Sequence, residues 1–368
     1  MSEAITYVGI DAHKRELQIA MLIADHDQVV SWTAPADERG IERLRRKLER
    51  EAPGPVACCY EAGPTGYVLQ RRLTGGRIQC AVIAPSLIPR KPGDRVKTNR
   101  RDAVKLAQLL RGGLLTEVHP PTTAQEAVRD LCRARDDARR DLQRGRHRLG
   151  KLLLRRGLIF AGRNWSKRHR DWLQQLQWEY AAERHVIRDY QLAITQLEAR
   201  LTELDRALED IAGQPPYTTA VSALRCFRGV DTLTAISLLA ELHDVRRFPH
   251  PRGLMAFVGL VPSENSTGDR RRPGAITKAG NRLVRRLLIQ AAWHYQHDPR
   301  LGVPLRRRRT GQPLAVLTIA EKAEQRLCRR YRRMRARLKL KPIVITAIAR
   351  ELVGFLWAAL QLPETDMV

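Results

Sequence analysis

Five short apolar runs open the chain, at 5–10, 17–23, 28–33, 55–60 and 78–84. Their length and β-branched content predict strands. The first three lie close enough together to form an antiparallel meander. Apolar residues at helical spacing predict helices near 39–51, 64–73 and 102–112. The order is strand-strand-strand-helix-strand-helix-strand-helix, an α/β pattern with a mixed sheet.

The pattern then changes. The stretch 116–124 carries His119-Pro120-Pro121-Thr122-Thr123, a linker composition. From Gln125 to about Gly213 the chain reads helical. Ile187, Tyr190, Ile194, Leu197, Leu201, Leu204, Leu208 and Ile211 keep a 3–4 spacing, which is an a/d seam. The seam suits a coiled coil or helical hairpin, and equally one long helix packed on its own domain. Gln214-Pro215-Pro216 ends it. Three regions are therefore expected: 1–118 α/β, 125–214 helical, and a mainly helical 217–368.

Charge sharpens this picture. The 368 residues carry a formal net charge of +27, which points to a polyanion such as nucleic acid and to salt-sensitive binding. The run from Leu305 to Lys341 concentrates it, with Arg306-Arg307-Arg308-Arg309 followed by Arg329, Arg330, Arg332 and Arg333. At such density a polyanion partner explains the run better than solvation alone. Trp165, Trp172 and Trp178 lie among bases, an arrangement that suits stacking on unpaired nucleotides and also suits a core. Arg228-Gly229-Val230-Asp231-Thr232 resembles a helix-hairpin-helix turn, whose amides can face a phosphate. A signal peptide and an unbroken apolar span of transmembrane length are both lacking, since Arg350 and Glu351 interrupt 343–362. No membrane partner is expected, and the compartment expected is the cytoplasm. The six cysteines have no metal-ligand spacing and read as buried small hydrophobes.

Three acids stand out within the first region. Asp11 ends the run Ile5–Ile10, Glu61 ends Val56–Tyr60, and Asp102 opens a helical pattern. An acid after a strand also serves as a plain turn residue. Two acids from strand ends and one from a covering helix, however, suit one or two Mg2+ ions, which prefer oxygen ligands and can clamp a phosphodiester. The element order is also that of the ribonuclease H-like fold, with Asp11 on the first strand, Glu61 on the fourth and Asp102 on the last helix.

A second chemical element runs from Gly259 to Asn281 and includes Ser266-Thr267-Gly268-Asp269-Arg270-Arg271-Arg272 and Lys278. Two hydroxyls beside a glycine can offer an alkoxide, and the bases can hold a scissile phosphate. The same residues also read as a turn whose hydroxyls cap the next helix. Taken together and in order, Val8-Gly9-Ile10-Asp11, Tyr60-Glu61-Ala62-Gly63, Val96–Ala103 and this block resemble the transposases of the insertion-sequence 110/1111 family over nearly the whole chain. The resemblance implies a RuvC-like domain with an Asp-Glu-Asp-Asp metal quartet, a coiled-coil insertion and a C-terminal domain with a nucleophilic serine. It implies a covalent seryl-DNA intermediate and Mg2+. It also implies a homo-oligomer, dimer or tetramer, in which acids and serine form a composite site. A structured non-coding guide RNA would pair with donor and target DNA. Arg100, Arg101, Arg270, Arg271, Arg272 and Lys278 are the candidate nucleic-acid contacts.

Two positions depart from the family pattern. The third acid is Asn99 here, an uncharged oxygen donor, with Asp94 nearby. The nucleophile position before Gly268 is Thr267, and Ser266 precedes it. A primary hydroxyl is less hindered than a β-branched one, which favours Ser266 with Thr267 as alternative. Two other readings remain: a RuvC-like junction nuclease using metal-activated water, and an inactive nucleic-acid-binding scaffold.

Overall fold

The computed structural model describes residues 4–23, 29–89, 98–264 and 272–363. The chain forms two compact units, Met1–Pro121 and Thr122–Val368.

In the first unit the strands are β1 (Thr6–Ala12), β2 (Glu16–Leu22), β3 (Val29–Pro35), β4 (Val56–Glu61), β5 (Ile78–Ile83) and β6 (Glu117–Val118). They build one sheet in the order β3-β2-β1-β4-β5-β6. The meander β1–β2–β3 is antiparallel, as its short connections dictate. β4 and β5 join parallel to β1 and to each other. The edge strand β6 closes antiparallel on β5. The sheet is mixed, and its order accords with a ribonuclease H-like arrangement.

The helices α1 (Glu38–Glu51), α2 (Val68–Leu73) and α3 (Asn99–Arg111) cover the sheet. Strand alternation sorts the core. Val8, Ile10, Cys58 and Tyr60 pack with Leu44 and Leu48 of α1 and Leu73 of α2. Cys59 and Ile83 pack with Leu106 of α3. Cys58 and Cys59 therefore face opposite sides of the sheet.

Element starts differ from the sequence expectations. The helix expected at 64–73 begins at Val68, because Gly66 takes a left-handed turn (φ 63°). The helix expected to open at Asp102 begins at Asn99, where the Thr98 hydroxyl accepts from the Arg101 amide. β6 occupies part of the expected linker, and two residues are too few to show a period.

In the second unit α4 (Thr123–Arg155) starts on a capping box between Thr122 and Gln125. It is followed by α5 (Lys167–Gln175) and α6 (Ala181–Ala212). Two ion pairs fix α4 against α6, Arg135–Asp205 at 2.6 Å and Arg146–Glu198 at 2.6 Å, and Arg156, which caps α4, adds a third to Glu183 at 2.7 Å. Numbers rise along α4 as they fall along α6, so the pair is antiparallel. Ile187 and Ile194 of the seam are buried with Leu142 and Leu149 of α4. The base of this hairpin enters the larger core through Cys132, Leu208 and Ala212.

The remaining elements are α7 (Thr218–Arg225), α8 (Thr232–Leu242), α9 (Pro251–Phe257), β7 (Pro262–Glu264), β8 (Pro273–Ile276), α10 (Arg282–Ala292), α11 (Val303–Arg309), α12 (Leu314–Ala336) and α13 (Lys341–Leu360). By length and composition α13 alone among the described helices is apolar enough to cross a membrane, which amends the expectation of no such span. Val344, Ile348, Leu352 and Leu356 nevertheless bury one side of it in the helical core.

Candidate active site

The acidic residues are placed by strand register. The last recorded β1–β4 pair is Ile10 opposite Tyr60. Asp11 and Glu61 follow one step later on neighbouring strands, which lie about 4.8 Å apart in any sheet. Ile10 and Tyr60 face the α1–α2 core. Alternation turns Asp11 and Glu61 to the other face, the one α3 covers. α3 lies hard against Gly9: a Cβ there would overlap the Ala103 carbonyl oxygen and the Ala107 amide. Asp102 precedes Ala103 in the first turn of α3, so the helix brings it toward the same rim. Asp11 is largely covered (21% exposed), Asp102 is half-buried and Glu61 is exposed.

Asn99 begins α3, three residues before Asp102, and is exposed with Arg100 and Arg101. Asp94 lies outside the described residues. The oxygen donor set suits a hard divalent cation. Among the described residues, no three acids, histidines or cysteines already form a closed metal cluster. Sequence reasoning missed His13, whose Nε2 lies 3.1 Å from Asp11 Oδ2. Its spacing two residues after Asp11 was the available signal.

The hydroxyl loop is anchored by backbone. β7 and β8 pair antiparallel, and the Ser263 hydroxyl donates to the Ala275 carbonyl at 3.0 Å. Gly259 (φ 67°) and Gly280 (φ 70°) cross at the base, where a Cβ on either would strike the Ala279 or Phe257 carbonyl. Only glycine fits there. Ser266, Thr267, Arg270 and Arg271 fall between β7 and β8, outside the described residues. Arg272 and Lys278 are described and exposed. The next helix, α10, is capped by Asn281, whose side-chain oxygen accepts from Leu283 and Val284 amides at 2.8 and 3.1 Å. Asn281 also donates to Glu241 at 2.6 Å, and Glu241 takes Arg133 at 2.7 Å. The helix thus has its cap without a loop hydroxyl.

Comparison with known proteins converges on one family. Residues 221–302 match the model described as Transposase IS116/IS110/IS902 family, and residues 8–156 match a DEDD-type transposase model of the same group. A putative transposase of Sinorhizobium fredii is 41% identical over 96% of this chain and 87% of its own length. The chain belongs to the IS116/IS110/IS902 transposase family. The transposase for insertion sequence element IS1533 of Leptospira borgpetersenii is 35% identical over 90% of this chain and 97% of its own. That for IS1111A of Coxiella burnetii is 27% identical over 53% and 54%. As a family transposase, this chain is an enzyme that cleaves and rejoins DNA.

Other sequence candidates take structural roles in this transposase. Trp165, Trp172 and Trp178 are partly buried on the hairpin core. Trp165 and Trp172 pack around His169 at 5.2 and 5.6 Å, and Arg146 stacks on Trp165 at 5.0 Å. Those rings are engaged within the fold, which argues against the stacking role. At the start of α8 the Asp231 carboxylate accepts from the Thr234 amide at 2.8 Å. An anion already occupies that helix end, so it does not present the expected phosphate site. Arg228 donates to the Asp298 carbonyl at 2.8 Å and to Glu324 at 2.6 Å. Within the basic run, Arg309 is buried between the Cys226 carbonyl (2.9 Å) and Glu324 (3.0 Å). Arg308 donates to the Val230 carbonyl, and burial lowers its pKa. These two bases hold the fold rather than face a polyanion. All six cysteines are free and buried. Burial pushes the Cys132 thiol up to about 11, far from a thiolate nucleophile.

Proposed function

We propose that this transposase cuts and rejoins DNA through a covalent seryl-DNA intermediate, with an acidic Mg2+ site and a structured guide RNA. The observation that carries the reading is the location of Asp11 and Glu61 at neighbouring strand ends, beneath the helix that bears Asp102. Asp11, Glu61 and Asp102 would hold the ion, and Asn99 would lend an uncharged oxygen. Bound Mg2+ would stabilise negative charge developing on the phosphate. His13 orients the Asp11 carboxylate through their hydrogen bond.

The Ser266 hydroxyl, with Thr267 as alternative, attacks the phosphorus. An Oγ–P bond forms, the bond to the departing strand breaks, and the strand's oxygen takes up the proton lost by serine. Rejoining reverses this on a second strand. Arg100, Arg101, Arg270, Arg271, Arg272 and Lys278 supply positive charge for scissile phosphates and for the guide backbone. Region 1–118 acts as the acidic domain, and 217–368 as the transposase domain. The hairpin of 125–214 is the assembly element of a dimer or tetramer at the bacterial nucleoid. Base pairing by the RNA supplies the choice of donor and target DNA.

The test is a denaturing-gel search for protein–DNA adducts. Ser266→Ala is expected to abolish them; loss only in Thr267→Ala would transfer the role to that residue. Adducts surviving in both variants would refute the covalent reading and favour metal-activated water. Asp11→Ala is expected to lower Mg2+ affinity in titration while RNA binding persists, and cleavage in EDTA would refute the metal role. RNA co-purifying from the element's own flank supports the guide; random cellular RNA counts against it.

A further inference from the structure

α12 and α13 enclose a groove of about 620 Å³ lined by seven bases and a single acid, Glu351. Five of the bases belong to α12, Lys322, Arg326, Arg329, Arg330 and Arg333, and a sixth, Arg337, caps its C-terminus. At 100° per residue they fall within an arc of about 100° on one side of the helix. The adjacent arc, with Val316, Ala320, Ala323 and Leu327, is buried. The stripe is therefore set by the helix phase and rigidly backed by core.

Its charges differ from those of Arg228, Arg308 and Arg309. Among the described residues, no ion pair engages Arg329, Arg333 or Arg337. Arg330 Nε lies 3.2 Å from Glu351 Oε2 without hydrogen-bond alignment, and Arg326 also pairs with Glu351. Seven like charges around one acid repel each other, so the groove is at its most stable with an anion in it. From Lys322 to Arg337 the helix rises about 22 Å, the axial span of roughly six phosphates of one duplex strand. Among the described residues, no aromatic side chain lines the groove. A surface for unpaired strands would want stacking rings.

We infer that the α12–α13 groove grips the sugar-phosphate backbone of duplex DNA. The inference rests on the DNA-acting function of this family and names a binding surface for the substrate, apart from the acids and the hydroxyl loop. Arg329, Arg333 and Arg337 supply free guanidinium groups to phosphates. Glu351 acts as a brake: it holds Arg326 and Arg330 in place and withholds part of their charge.

The experiment measures binding of the full chain to a random-sequence duplex, a single strand and an RNA hairpin, across salt and without divalent metal. Chemistry is not needed for this readout, so failure of the serine or metal reading leaves it interpretable. The triple variant R329Q/R333Q/R337Q is expected to flatten the log–log salt slope for duplex by about three. Between 50 and 200 mM salt its duplex affinity then falls about 40-fold less than that of the unmodified chain. E351Q is expected to bind duplex more tightly, a gain that a merely structural role would not produce. Circular dichroism melts should match for the triple variant, whose altered side chains are exposed. An unchanged duplex slope overturns the inference, as does a loss confined to the RNA hairpin or the single strand.

Discussion

Replacing Gly9 by Ala tests how the acidic rim is built. Gly9 lies on β1 two residues before Asp11, beneath α3. A methyl group there meets backbone, the Ala103 oxygen and Ala107 nitrogen, together with the Leu106 Cβ at 2.9 Å. Backbone cannot rotate aside as a long side chain can, so α3 must lift by about 1 Å to restore contact distances, at an overpacking cost of about 1–3 kcal/mol. For a unit of this size that corresponds to a Tm lower by about 4–12 °C. The same lift carries Asp102 away from Asp11 and Glu61, and a displacement of about 1 Å at a reacting centre costs about 10²-fold in rate. Differential scanning calorimetry and DNA strand cleavage on matched preparations read the two effects. Gly63→Ala is the control, because its Cβ would meet nothing nearer than the Glu61 oxygen at 3.8 Å. Wild-type Tm and wild-type cleavage in Gly9→Ala would refute the claim that this close approach sets the site.

Further predictions concern other parts of the chain. Glu324→Ala leaves the buried Arg309 and the partly buried Arg228 uncompensated and is expected to cost about 3–5 kcal/mol, read as Tm; a loss below about 1 kcal/mol would contradict the buried network. His169 takes the Trp165 amide on Nδ1 at 3.2 Å, and burial lowers its pKa. The unfolded chain therefore binds that proton more tightly, so the stabilisation is present above the ordinary histidine pKa of about 6.5 and is lost as pH falls below it through the lowered folded-state value. Tryptophan-fluorescence melts between pH 7.5 and 5 should show a shallower pH dependence in His169→Gln, and identical slopes would remove this role. Asn99→Asp adds a carboxylate in the first turn of α3, where the helix dipole favours it by about 0.3–1 kcal/mol. It is expected to lower the Mg2+ concentration for half-maximal cleavage, and an unchanged requirement would mean that position 99 lies outside the ion's reach.

Some of this molecule is legible because its signals are local. β1 and β4 are apolar runs closed by an acid, and their buried positions admit little else. The α6 seam is visible because a 3–4 spacing survives for eight positions. The start of α3 is less visible: Asn99, Arg100 and Arg101 are exposed, so the first turn carries no apolar period and only Thr98 marks it. The Ser266–Thr267 pair is legible as chemistry, whereas its support depends on Gly259 and Gly280 meeting backbone twenty residues away in sequence. The Asp11–His13 contact follows from strand alternation but stands out only once Asp11 is seen at a rim.

From sequence alone come the family, the α/β-then-helical division, the order of strands and helices, and the three acids at element ends. Each depends on residues close together in the chain or on motifs kept in order. Tertiary structure decides which like-looking residues do different work. Arg309 is buried against Glu324, while Arg329 and Arg333, only some twenty residues on, face open groove. Trp172 fills a core rather than meeting a base. In sequence a charge or a ring has only its identity. Its partner, its exposure and the free energy of burying it come from segments far away along the chain, and folding alone brings those together.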